Sequence, residues 1–143
     1  APAVSRFEAF ADCGKHDEHE CETARRTQAD RRAQTRAQLL DAARVLATEA
    51  GFSEASTPDL VARAGVTRGA LYHHFKDKTD LFRAMAAREA AAVGAEIAAA
   101  TQTSTDPARA MLDGTEAYFD AMAHPGRARI LLVDAPAILG PAE

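Results

Sequence analysis

Ser56-Thr57-Pro58-Asp59-Leu60-Val61-Ala62-Arg63-Ala64-Gly65-Val66-Thr67-Arg68-Gly69-Ala70-Leu71-Tyr72-His73-His74-Phe75-Lys76-Asp77-Lys78 reads as two short helices joined by a tight turn. Thr57 is suited to an N-cap, and Pro58 to the first helical position, where a missing N–H costs nothing. Asp59 places negative charge in the first turn, where the helix dipole favours it. Leu60, Val61 and Ala64 make a short apolar stripe that Gly65 stops. Thr67 caps a second helix, running to Phe75, in which Leu71, Tyr72 and Phe75 recur at helical spacing. Two helices so arranged form a helix-turn-helix, the unit that places its second helix in a DNA major groove.

The rest of the chain supports that unit. Leu39, Ala43, Leu46 and Ala50 fall on one face between Thr35 and Ala50, with Leu40 and Ala47 beside them, which predicts an amphipathic helix of about four turns. Gly51 ends it and Phe52 reads as a core plug. Asp77 or Thr79 is placed to cap a long helix over 80–100 with Leu81, Met85, Val93 and Ile97 in its stripe. Asp106-Pro107 starts another helix, which passes through Met111, Thr115, Phe119 and Met122 and ends at His124-Pro125-Gly126. A last, mostly apolar helix follows from Arg127 to Leu139. Strand patterning is almost absent, so the fold class is all-α.

Charge is unevenly distributed along the 143 residues. The formal net charge is −4, which taken alone argues against a nucleic-acid partner. Residues 23–78 nevertheless carry ten Lys/Arg against six Asp/Glu, whereas residues 1–22 and 79–143 are each net acidic by four. The positive charge thus sits on the segment holding the helix-turn-helix, as a DNA-binding domain requires. No apolar run reaches the ~18 residues of a membrane span, and Arg6, Glu8 and Asp12 interrupt any secretory signal core. A cytoplasmic protein without membrane contact is expected.

In order and spacing, Leu60-Val61-Ala62-x-Ala64-Gly65-Val66-Thr67-x-Gly69-x-Leu71-Tyr72-x-His74-Phe75-x-x-Lys78-x-x-Leu81 resembles the DNA-binding signature of the TetR/AcrR family of bacterial transcriptional regulators. The likeness runs without a gap from Thr35 to Met85. It implies a three-helix DNA-binding domain over 35–78 and helices of an effector-binding and dimerisation domain over 79–143. It also implies a palindromic double-stranded operator, a homodimer in the complete protein, and repression relieved by a small-molecule effector of unknown identity. Relatives usually continue for several more helices, including a pair that makes the dimer bundle, so the regulatory domain is expected to be truncated at its C-terminal end.

Within the second short helix, Arg68 is the best base reader, because its guanidinium can grip guanine O6 and N7 in bidentate fashion. Thr67 can donate its hydroxyl to a phosphate beside the free N–H groups of the helix start. Gly69 allows close approach and Ala70 can meet a thymine methyl. The resemblance adds Tyr72 and His74 as backbone or base contacts with His73 between them, Lys78 as a phosphate contact, and Thr57 on the opposite strand. His73 and His74 point about 100° apart on a helix and are poorly placed to chelate one ion. Leu71 and Phe75 belong to the core.

Other regions allow more than one reading. Residues 1–34 have the composition of a mobile or loosely docked tail, yet Cys13, His16, His19 and Cys21 place four soft ligands within nine residues. They are candidate metal ligands, although their spacing matches no common zinc pattern. Arg25, Arg26, Arg31, Arg32 and Arg36 form either a solvated helical face or a basic arm for phosphates. Met85, Met111, Thr115, Tyr118, Phe119 and Met122 are candidates for an effector pocket, with ordinary core packing as the alternative. The competing functions are a helical ligand-binding or interaction protein without DNA grip, and a metal sensor built on the Cys/His cluster. No cofactor is implied. With no nucleophile–base pair, phosphate loop or paired carboxylate in a recognisable setting, an enzyme is not expected.

Overall fold

The computed structural model describes residues 17–140, with side chains from residue 27 onward. Two compact units divide the chain, residues 1–35 and residues 36–143. All regular structure among the described residues is helical: α1 (Asp17–Glu49), α2 (Thr57–Ala64), α3 (Arg68–His74), α4 (Lys78–Thr101), α5 (Pro107–Met122), α6 (Arg127–Arg129), a π-helical turn (Ile130–Asp134) and α7 (Ala135–Leu139). None of these helices is long and apolar enough to cross a membrane.

In the first unit the chain is helical from Asp17, so the helix expected to begin at Thr35 starts far earlier. The expected tail had no apolar face, but helix formation does not require one. Residues 17–34 hold no glycine or proline and are rich in Ala, Arg, Gln and Glu, all strong helix formers. Residues 27–34 are exposed, and the Thr35 hydroxyl donates to the Arg31 carbonyl at 2.9 Å. Of the candidate metal ligands, Cys13 and His16 lie outside the described residues, as do the side chains of His19 and Cys21.

In the second unit one core joins α1 to α4. Leu39, Ala43 and Ala47 of α1 meet Leu60 of α2, Leu71 of α3, and Leu81, Phe82 and Met85 of α4. Phe52 is the expected plug, 2% exposed, its ring centroid 4.7 Å from that of Phe82. The short helices α2 and α3 are below the length that is stable alone, so this burial holds them.

Local capping sets the boundaries, with one correction. Ser56, and not Thr57, caps α2: its hydroxyl accepts the Asp59 N–H at 3.2 Å, while the Asp59 carboxylate accepts the Ser56 N–H at 3.1 Å. Such a reciprocal box needs partners three residues apart, which Thr57 and Asp59 are not. The hydrogen bond from the Ser56 hydroxyl holds the Asp59 carboxyl below its ordinary value. Gly65 stops α2 in the left-handed conformation, φ 66°. Thr67 caps α3, Asp77 caps α4 and Asp106 caps α5, each side chain accepting a backbone N–H three residues on.

α5 packs along α4. Gly114 lies against Ile97 and Thr101, and Ala121 is fully buried. The last expected helix is present but not uniform, because a π-helical turn separates α6 from α7. Ile130, at the start of that turn, reaches the core of the second unit.

Candidate nucleic-acid interface

α3 turns two different faces to its surroundings. Leu71 is 1% exposed, and Phe75, which ends the helix, is 2% exposed. Thr67, Arg68, Gly69, Tyr72 and His73 face solvent, while Ala70 and His74 are half-buried. The side chains expected to pack and those expected to read DNA are therefore separated by the helix itself.

The exposed face is organised. The Thr67 hydroxyl oxygen accepts the Ala70 N–H at 3.1 Å, which leaves its proton to donate outward. The Arg68 guanidinium lies 5.6 Å from the centre of the Tyr72 ring, a cation–π distance that restricts the arginine before any partner arrives. His73 and His74 meet edge to face with ring centroids 5.5 Å apart. At Gly69 an added Cβ would meet only the Thr67 hydroxyl oxygen, at 3.9 Å. No described residue demands a glycine there.

Two cations flank the helix. Lys78 donates its Nζ to the Ser53 carbonyl at 3.1 Å and lies 5.0 Å over the Phe52 ring. It thus clasps the turn before α2 as well as standing at the start of α4. The Arg36 guanidinium stacks on the Phe75 ring at 4.5 Å, which places one member of the basic arm beside the end of α3. Nothing in the sequence links positions 36 and 75, so this placement was not legible there. Thr57, in the first turn of α2, is half-buried.

The six effector candidates do not converge. Met85 is sealed in the core at 0% exposure, whereas Met111 is 76% and Phe119 66% exposed. Thr115 is exposed with its hydroxyl donating to the Met111 carbonyl at 2.7 Å, Tyr118 is 37% exposed, and Met122 is half-buried. Five of the six lie on α5. A cavity of about 320 Å³ lies at α1 and α2, lined by Gln38, Asp41, Ala42, Val45, Arg63 and Ala64, and none of the six lines it.

With this geometry in place, comparison with known proteins is decisive. The profile of bacterial regulatory proteins of the tetR family matches residues 39–85, the span of the three-helix unit with the start of α4. The chain carries the DNA-binding domain of the tetR family. AcrR of Shigella flexneri, an HTH-type transcriptional regulator, is 51% identical over 49 residues, covering 34% of this chain and 23% of that protein. FasR of Mycolicibacterium smegmatis, a transcriptional activator, is 32% identical over 93 residues, covering 65% and 42% respectively. A TetR-family regulator from Pectobacterium atrosepticum superimposes with a TM-score of 0.68 at 38% identity, over 80% of this chain and 59% of that one. The chain thus spans less than half the length of these curated TetR-family relatives.

Proposed function

We propose that this chain carries the DNA-reading part, and a portion of the regulatory part, of a transcriptional regulator that acts as a repressor relieved by a small molecule. The observation that carries the reading is the exposed polar face of α3, opposed to a buried apolar one. In the proposed complex α3 enters the major groove and Arg68 reads a guanine edge. Thr67 and the N–H groups at the helix start hold a phosphate. Gly69 and Ala70 lie against the bases, and Tyr72, His73 and His74 extend the contact along the groove. Thr57 and Lys78 hold backbone phosphates on either side. This placement is supported by the basic balance of residues 23–78.

A dimer would set two such helices in successive major grooves about 34 Å apart on a palindromic operator. An effector that binds the regulatory helices would then weaken the grip by changing that separation, for which a coupling of ~1–3 kcal/mol is sufficient. Met111, Thr115, Tyr118, Phe119 and Met122 are the proposed effector-facing side chains, and the buried Met85 is assigned to packing. The test is selection of bound duplexes from a random pool, with Arg68→Ala in parallel. A palindromic consensus that loses one base preference in the variant supports the assignment. No enrichment by the unaltered protein refutes it.

A further inference from the structure

Away from α3, a buried ionic cluster ties four helices of the second unit together. Glu89 of α4 has only 6% of its side chain exposed. Its Oε1 accepts Arg44 Nε of α1 at 2.9 Å, and its Oε2 accepts Arg127 Nε of α6 at 3.1 Å. Arg127 also donates through Nη1 to Glu96 Oε1 and to the Ala121 carbonyl of α5, both at 2.9 Å. Arg44 Nη2 reaches on to the Pro125 carbonyl at 3.3 Å.

The turn that follows α5 is seated along the end of α1 and the loop that follows it. Pro125 meets Arg44, Gly126 meets Thr48, and Arg129 lies over Gly51. Positions 44 and 48 fall on one helical face, and Gly51 lies beyond the end of α1. The Gly126 contact is too close for a side chain, since a Cβ there would collide with Thr48 Oγ1 and Cβ. Gly126 is also at φ 77°, which other residues rarely adopt. A charged lock beside a flush, glycine-dependent seam is a keyed joint, and α1 is the helix against which α2 and α3 pack.

We infer that the Pro125–Arg129 segment, locked by Glu89, Arg44 and Arg127, is a latch that sets the orientation of the DNA-reading helices relative to α5 through α1. Glu89 and Arg127 are accordingly positioning residues; neither touches DNA. The inference rests on the DNA-binding reading above. A rigid latch holds two recognition helices of a dimer at one separation and angle. A loosened latch lets each α3 find its own half-site without changing how it reads bases.

The experiment measures affinity for the selected operator and for versions with one base pair added or removed between half-sites, a change of about 35° in relative rotation. The unaltered full chain should discriminate by roughly tenfold or more, since both half-sites cannot then be engaged together. Gly126→Ala and Glu89→Gln should narrow this to about threefold or less, with the half-site consensus unchanged. Equally sharp discrimination in both variants overturns the latch. General destabilisation would not broaden spacing tolerance while sparing the consensus. Should the unaltered chain select no duplex, the functional reading fails; in that case, and equally if it binds duplex as a monomer without regard to spacing, hydrogen exchange without DNA decides the latch. Residues 44–51 should then exchange about tenfold faster in either variant while α2 and α3 keep their protection. Uniform acceleration, or none, overturns it.

Discussion

Glu89→Gln should lower stability at neutral pH by about 3 kcal/mol, and the loss should vanish in acid. Removing one member of a buried ion pair costs ~3–5 kcal/mol, because the partner is left uncompensated. Here the low end applies. Arg127 keeps Glu96 and the Ala121 carbonyl, and Arg44, with 28% of its side chain exposed, retains solvent. At roughly 4 °C per kcal/mol for a unit of this size, the midpoint should fall by about 12 °C. Burial by itself would raise the Glu89 carboxyl, but hydrogen bonds from Arg127 and Arg44 and their positive field outweigh it and hold it below its ordinary value. A carboxylate depressed in the folded state stabilises above its unfolded pKa, about 4.3, and loses that contribution as pH falls through the folded value. The gap between the two proteins should therefore be constant from pH 7 to about 5 and narrow progressively as pH falls below the unfolded value of about 4.3. Arg127, raised by Glu89 and Glu96 against the opposing effect of burial, stays charged throughout. Urea unfolding followed by circular dichroism at pH 7, 5 and 3.5 measures this. A gap that is the same at all three values would mean that the Glu89 charge does not hold the cluster together.

Binding to the selected operator should weaken with salt in proportion to the phosphates engaged, and a flat dependence would contradict a phosphate-held complex. Leu71→Ala, at 1% exposure, should cost ~2–5 kcal/mol in urea unfolding. A loss under ~1 kcal/mol would mean that α3 is not held through that face. Ser56→Ala should cost about 1 kcal/mol through the lost α2 cap, and hydrogen exchange should localise the change to the first turn of α2. Phe119→Ser, at 66% exposure, should shift the stability of this chain by less than ~0.5 kcal/mol, and a larger loss would show that the ring is packed.

Those expectations divide along the line between local and distant information. The positions and types of α2 to α5 were legible because each has a cap, a stripe and a stop within a few residues. Thr67, Asp77 and Asp106 acted where their neighbours implied, and so did Gly65 and Pro107. Even the error at α2 was local: Ser56 and Asp59 carry the capping-box spacing, and the proline beside them drew the cap one residue too late. The long start of α1 was missed for a different reason. Residues 17–34 lack apolar periodicity and are helical on propensity.

For the site, the family signature between Leu60 and Leu81 was sufficient to separate the exposed face of α3 from its buried one, since adjacent residues on a short helix divide into inner and outer ones by angle alone. Sequence determined the helix-turn-helix, its basic setting and its family, because those are properties of residues close together along the chain. Tertiary structure alone decided that Arg36 stacks on Phe75, that Lys78 clasps Ser53, and that Met85 and Met111 lie in opposite environments. It alone brought Arg44, Glu89 and Arg127 together. Arg44 and Glu89 stand 45 positions apart and Glu89 and Arg127 stand 38 apart. Their attraction acts only once packing has removed the water between them, and no spacing along a chain encodes that.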